Sequence, residues 1–577
     1  MNSLNFPFRR RSRYNTHSVY KRPLFIGVRM KRFLWLWLVV FLFLICTGCG
    51  DTFRPVIIPN PPKFPDPRAA HTVITISDNG VLPGSVMVVD VTGDSDVSEA
   101  DCQEGSPCIG IAPVHAVQQT ATQVLVVNQS VPGVSGDSLS KVNFSFTTIS
   151  SATTISLPPD SRPNFVAVAP SDTTAYVTLP NLVPDPAFPS DNAVGVVNTN
   201  SALVTPLRVG NNPVAIAVTP DKNKLYVANQ GTSKASCVNC SVSCFNTLDR
   251  SPRNPPIILS STPIWLAARS DSQRVFVLES NGTLAVLDTT STAGPDILTE
   301  TAISVPGALS MLYDGHLNRL YIAGGNQLAV VDAAQSVPQL LKSVPIPQIP
   351  GVPPVNASAV GVAALPDGSR AYVASVSAPQ PSQVSISAVQ GDGTTATYSY
   401  TLTGGHDVTP GMTIAISGIN TPAGFDGTFK INIVSGTSCD QQVCTFQAAN
   451  TTAAAQTSVA GAGSSTIDNL FPQVTVINTS GNTIKTTVGI PGFPDATVVG
   501  SPFYVPVCVT TRFRFNMAAG GDSSRAYLAS CDGGNVNFID TANDTYLQRL
   551  PAPVSDRPPV NGNQPPPQNP VFMIAGP

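Results

Sequence analysis

The chain has 577 residues, of which 42% are hydrophobic and only 12% charged, and Gly and Pro together number 97. That composition fits an exported all-β protein with enough apolar residues for a large core. All nine Lys and Arg of residues 1–32 are unmatched by any acid; without them 23 basic face 35 acidic residues, a net of about −12, which argues against nucleic acid or an anionic membrane surface as partner.

The basic stretch holds Arg9, Arg10, Arg11, Arg13, Lys21, Arg22, Arg29, Lys31 and Arg32, and is followed by an unbroken apolar run of 14 residues, 33–46. A membrane-spanning helix needs about 20 such residues, so the run has the length of a signal-peptide core. It ends in Cys46-Thr47-Gly48-Cys49. Small residues directly before a cysteine resemble a bacterial lipobox, with Cys46 where a Leu is usual. That resemblance implies a signal peptide over 1–48 and a lipid on Cys49. It also implies a location in the bacterial cell envelope, anchored to the membrane through lipid and facing the periplasm or the cell surface. Met30-Lys31-Arg32 would itself make a good start, which would render 1–29 an extension. Residues 49–70 are Pro-rich and read as a stiff tether.

Beyond the tether the chain repeats itself. NPVAIAVTPDKNKLYVAN at 212–229 is two β-rich runs around polar turn chemistry, a hairpin. Cognates centre on Tyr176, Phe276, Tyr321, Tyr372 and Tyr527, with a degenerate copy on Leu125; counted from Leu125 the intervals are 51, 50, 50, 45, 51 and 155 residues. Most copies are followed by a second apolar run ending in a polar turn, as in AVGVVNT at Ala193, LAVLDTT at Leu284 and NVNFIDT at Asn535. Four short strands in about 40–50 residues are the period of a β-propeller blade. The unit resembles the YVTN-type β-propeller repeat of bacterial exported proteins, carried here by Tyr226-Val227-Ala228-Asn229. The expected fold is therefore all-β, a propeller of seven or eight four-stranded blades over 71–387 and 467–577.

The long interval before Tyr527 holds an insertion, 388–466, that reads as alternating strands (TYSYTLTGG, GMTIAISGI, GFDGTFKINIV, CTFQAAN) and predicts a separate small β module. At the C-terminus, Asn569-Pro570-Val571-Phe572-Met573-Ile574-Ala575 resembles NPVAIAV, an innermost strand without its hairpin partner. The N-terminal runs VITISD and GSVMVVDV can supply the partners, so the ring is expected to close by joining both ends of the chain, which removes open sheet edges.

Nine of the eleven cysteines follow Cys49. In an oxidising compartment disulfides are the default, and Cys102 with Cys108, Cys439 with Cys444, and Cys508 with Cys531 are the expected pairs. Cys237, Cys240 and Cys244 share one loop; half a zinc site lacks its second pair, which favours one disulfide and one leftover thiol. Asp90, Asp94, Asp96, Glu99 and Asp101 lack the spacing of a calcium loop and read as a solvated connection. No metal, cofactor or catalytic set is expected. His17, His71, His316 and His406 fall in the leader, the N-terminal approach, a hairpin turn and the insertion. His115 alone lies on an innermost strand, where it could face the channel. Two functions follow: a membrane-anchored extracytoplasmic binding or scaffold protein for a protein or glycan, or an enzyme similar to lactonase-like hydrolases or propeller oxidoreductases working at the channel mouth.

Overall fold

The computed structural model describes residues 72–576 except for 349–356, 491–507, 509–514, 556–566 and shorter internal stretches. The leader, Cys49, the tether, His71 and His406 lie outside the described residues. Eight four-stranded antiparallel sheets and one six-stranded sheet form among them. Blade 3 shows the unit: Pro213–Val218, Lys224–Asn229, Ser241–Asn246 and Ile257–Ile258 pair in that order from the centre outward. Blades 1, 2, 4, 5 and 7 repeat this order over 113–156, 166–208, 263–301, 308–345 and 515–551.

The first turn of each blade is coded locally. Asp221 Oδ1 accepts the Asn223 amide, and Asp271, Asp367 and Asp522 do the same for Gln273, Ser369 and Ser524. Such Asx turns specify the reversal through residues adjacent in the chain. One residue further on, Lys222, Ser272, Gly368 and Ser523 all adopt the left-handed backbone that the reversal requires. The second and third strands are buried on both faces, as in KLYVAN and SVSCFN of blade 3. Tyr226, Tyr321, Tyr372, Tyr527 and Phe276 are fully buried between blades, and truncating one such ring costs about 3–5 kcal/mol. Fourth strands are largely exposed, for example Gln339–Pro345.

Among the described residues the count is eight blades. Blade 8 is composite: Asn569–Ala575 is its innermost strand, and Thr72–Asn79, Leu82–Asp90 and Ser95–Ala100 follow outward. Val73 pairs with Ala575 and Ile76 with Phe572. The acidic segment read as a loop is thus partly the outer strand, because Met87 and Val88 pair with Glu99 and Ser98 and draw it onto the sheet. Innermost strands touch in sequence around the ring, and Asn569–Ala575 touches both Phe515–Ala519 of blade 7 and Pro113–Thr120 of blade 1. The third strands of blades 1 and 3, Ser138–Ser145 and Ser241–Asn246, escaped the repeat pattern because polar residues replace its apolar run.

A polar link joins consecutive blades. The first residue of a second strand is often basic, and it reaches the turn after the third strand of the next blade. Lys224 Nζ donates to the carbonyl oxygens of Thr289 and Ser291 and lies 3.4 Å from Asp296 Oδ1, while the Tyr226 hydroxyl donates to Asp296 Oδ2 at 2.7 Å. Between blades 6 and 7, Arg370 donates to the Thr541 carbonyl and to Asp544 Oδ1, the latter at 2.8 Å, and the Tyr372 hydroxyl donates to Asp544 Oδ1 at 2.6 Å. Arg319 holds the Thr479 carbonyl and Asn482 Oδ1. Arg525 grips Asp94 of blade 8 through two 2.7 Å bonds. Arg269 donates to the Ala333 carbonyl and Lys141 to that of Thr199, so other basic residues make the link between blades 4 and 5 and between 1 and 2.

The insertion leaves blade 6 between its second strand, Arg370–Ser377, and its third, Phe471–Asn478, which pair directly with each other. Among the described residues its six strands pair only with one another. The sheet begins at Ser382, earlier than the expected Ala388, because Val384 and Ile386 are buried in the module's own core with Tyr398, Tyr400, Phe425 and Phe446. Ser382 pairs with Ile467, so the two ends of the module are neighbours.

Two stability experiments follow. Truncation before Asn569 should abolish cooperative folding or lower the melting temperature severely, because it unpairs the inner edge of blade 8 and strips buried Val571 and Met573 from it; circular-dichroism melts measure this. Asp544→Ala should cost about 3–5 kcal/mol in urea titrations, since it leaves Arg370 and Tyr372 without their buried carboxylate.

Candidate functional site

The two faces of the ring are built from different connections. The lower face carries the turns between strands 1 and 2 and between strands 3 and 4, which the polar links occupy. The upper face carries the connections between strands 2 and 3 and between blades.

The channel between the faces is lined by innermost strands. His115 stacks on Phe165 with ring centroids 3.8 Å apart and meets Phe572 at a tilt, at 4.6 Å. Phe165 meets the edge of Trp265 at 5.9 Å. Blades 2 and 4 are not neighbours, so this contact reaches toward the ring axis. His115 is only 6% exposed, and its Nδ1 accepts the Val166 amide at 3.4 Å. The candidate channel histidine therefore sits inside an aromatic cluster, where ring packing accounts for its place. His316 closes a turn, its amide bonded to Asp314 Oδ1.

On the upper face the ends of second strands follow a local code. In blade 3 the Asn229 amide donates to Ser243 Oγ, whose hydroxyl oxygen also accepts the Gly210 amide at 3.4 Å. A Cβ on Gly210 would come within 2.8 Å of Asn229 Cγ, so only glycine admits this approach. Blade 1 repeats the arrangement with Asn128, Ser140 and Gly110. In blade 4 the same position holds Glu279, fully buried, accepting from Ser260 Oγ at 3.0 Å. Burial pushes Glu279 up to about 7, against the Ser260 bond and with a smaller push from Glu300. Glu99 is likewise raised to about 7 by burial, with Asp96 and Asp101 adding to it.

Between blades 2 and 3 the upper face opens into a cleft of about 730 Å³ lined by Asp160, Asn181, Asn192, Asn211, Asn212 and Thr232. One wall is the 180–192 connection of blade 2, far longer than the two-residue connection Gly325-Asn326 of blade 5. It contains Pro180, Pro184, Pro186 and Pro189 and an internal turn in which Phe188 donates to the Asp185 carbonyl. Asn211 Nδ2 donates to the Ser190 carbonyl at 2.6 Å, and the Asn212 amide donates to Asn192 Oδ1 at 2.8 Å. The cleft is preorganised, amide-rich and bears one carboxylate. No sequence motif marked it, because its asparagines come from two connections, the ends of 180–192 and the pair Asn211-Asn212 that leads into blade 3.

The cysteines pair as Cys102–Cys108, Cys237–Cys240, Cys439–Cys444 and Cys508–Cys531. The last ties the approach to blade 7 to the end of its second strand; a closed loop of that size contributes about 3 kcal/mol in the chain-entropy account. Cys244 is a buried thiol 3.3 Å from Asp296 Oδ2. Burial, with the Asp296 charge beside it, pushes that thiol up to about 12, which keeps it protonated and unreactive. Among the described residues no group of three or more His, Cys, Asp or Glu is placed to hold a metal ion.

This ring of blades makes the chain a β-propeller protein. No family model and no curated protein sequence matches it. Similar solved structures are propeller proteins. Apo AztD from Citrobacter koseri aligns over 88% of this chain and 98% of its own, with a TM-score of 0.46 and 9% identity. The Dos1 propeller aligns over 52% and 73% at 0.36 and 9%. Dihydro-heme d1 dehydrogenase NirN, in complex with DHE, aligns over 87% and 68% at 0.37 and 10%. At such identities the likeness concerns the fold.

The buried acid has a measurable signature. Below its ordinary value of 4.5, Glu279 is protonated folded and unfolded alike and contributes no pH dependence. From there to about 7 the unfolded chain releases the proton while the folded one keeps it, so stability falls as pH rises, by up to about 1.4 kcal/mol per unit. Glu279→Gln should remove that part of the slope in urea titrations between pH 4.5 and 7 and raise stability at pH 8, leaving the Glu99 contribution.

Proposed function

We propose that this protein is a lipid-anchored, extracytoplasmic binding or scaffold protein that uses the upper face of its propeller. The observation that carries this reading is the module at Ser382–Ile467. It has its own core and its own disulfide, Cys439–Cys444, and among the described residues no strand of it pairs with a blade. A ring that closes without such an outgrowth gains no evident stability from it, and loop-borne additions on a rigid scaffold are where binding is commonly placed. The cleft between blades 2 and 3 opens on the same face, because both use connections from second to third strands. The hydrolase or oxidoreductase reading draws less support: it needs polar groups converging in the channel, where this chain packs Phe165, Trp265 and Phe572 around His115.

Export is supported by the basic stretch, the apolar run and Thr47-Gly48-Cys49, and by four disulfides. Cys49→Ala should move the protein from the membrane pellet to the soluble envelope fraction and abolish incorporation of labelled fatty acid; retention in the pellet would refute the anchor. Replacing the module by a short Gly/Ser linker should leave a cooperative melt, because its ends are paired neighbours. Loss of folding would show that the module completes the core, and would remove the reason for treating it as a binding element.

A further inference from the structure

We propose that the cleft between blades 2 and 3 is a binding site for a neutral saccharide, a ligand class that deepens the binding-protein reading and rests on it. The cleft is an open depression of about 730 Å³, so a ligand there would rest against its polar wall and not be enclosed by it. What distinguishes it is which halves of its amides are already used. Asn211 spends its Nδ2 on the Ser190 carbonyl, and Asn212 its Nδ2 on Gln230 Oε1 at 3.1 Å. Among the described residues neither side-chain oxygen has a protein donor. Asn181 makes no side-chain hydrogen bond there, nor do the Asp160 carboxylate and the Thr232 hydroxyl. Two of the lining amides are thus held by their donors, while their side-chain oxygens accept from no protein group among the described residues.

A ligand that satisfies this set must bring several hydroxyl-type donors at close spacing. It should also tolerate the remaining amide donor of Asn181, and it should not carry much charge. Sugar hydroxyls, each donor and acceptor at once, meet all three conditions. A cationic ligand is less well matched, because a single carboxylate lines the site, and oxygen ligands spread around so wide a space do not converge at the 2.3–2.6 Å that calcium demands.

The wall adds two features. Its four prolines lower the entropy lost on binding. The same loop carries Phe188, 46% exposed, whose ring is held by the Arg208 guanidinium 3.8 Å from its centroid, with Arg208 also 3.7 Å from Asp191. Phe188 does not itself line the cleft, so its exposed ring serves a ligand long enough to extend along the loop, where it can take the apolar C–H face of a pyranose while the amides take the hydroxyls of another sugar residue.

The test titrates the full mature chain with maltotriose, cellotriose, mannotriose, triacetylchitotriose and spermidine, using saturation-transfer NMR and calorimetry. At least one neutral trisaccharide should bind saturably. Asn181→Ala should weaken it about tenfold without change in melting temperature, and Asn211→Ala about as much, with a small loss of stability from its bond to the Ser190 carbonyl. Asn181 is exposed and its side chain makes no hydrogen bond among the described residues, while its backbone amide, which donates to the Ser161 carbonyl, is untouched by the substitution, so its variant separates ligand contact from folding. Binding by none of the trisaccharides, binding unaffected by the cleft variants, or binding of spermidine alone would each overturn the proposal. If saccharide binding survives in the cleft variants but disappears with the module, the cleft assignment fails while the binding-protein reading stands.

Discussion

The contact on which this ring depends is the reach of a basic side chain, often backed by a tyrosine hydroxyl, into the turn of the next blade. A four-stranded blade has two apolar faces, and apolar burial is not directional. It presses blades together without fixing how far one slides against the next. Asp296 and Asp544, with fully buried side chains, supply that missing coordinate because a carboxylate taken from water must meet its partners in one geometry. Lys224 and Tyr226 meet the first, Arg370 and Tyr372 the second. Arg525 does the same at the seam by gripping Asp94, more than four hundred residues away in sequence.

The seam is the second constraint. A ring assembled in chain order has one junction that no local sequence can guarantee, between its last blade and its first. Here the last strand enters the first sheet, so closure is made by backbone hydrogen bonds between Thr72–Asn79 and Asn569–Ala575 as well as by side-chain packing. Arg525 to Asp94 and the packing of Met573 with Tyr527 and Phe538 reinforce the same junction. The two ends of the described chain become interior parts of the structure, in contrast to the usual dispensability of termini.

These constraints divide the molecule. The lower face is taken up by inter-blade links and the channel by aromatic packing, so variation is concentrated on the upper face, where connection lengths are free. That is where the 180–192 loop, the Cys237–Cys240 loop and the module occur. The cleft that results is lined by asparagines and one aspartate, and the side-chain donors of Asn211 and Asn212 are spent on holding the loops.

Much of the fold was legible in the sequence because its signals are local. Asp221 and its cognates write the first turn of each blade, and Tyr226 and its cognates write the buried second strand. The spacing of these copies implied a propeller, and NPVFMIA implied a strand in search of a partner. Cysteine spacing within single loops anticipated the close pairs. What sequence could not determine is whatever depends on two distant stretches meeting. The count of eight rests on the register between Ile76 and Phe572. His115 could be placed on an innermost strand, but only its contacts with Phe165 and Phe572 decided that it lies within an aromatic cluster. The role of Asp544 was hidden in an ordinary turn, since nothing nearby in the chain reveals that Arg370 will arrive there. The asparagines of the cleft were unremarkable one at a time. Local backbone chemistry is set by neighbours along the chain, whereas the cleft is set by the packing of consecutive blades, which brings Asn181, Asn211 and Asp160 to one place.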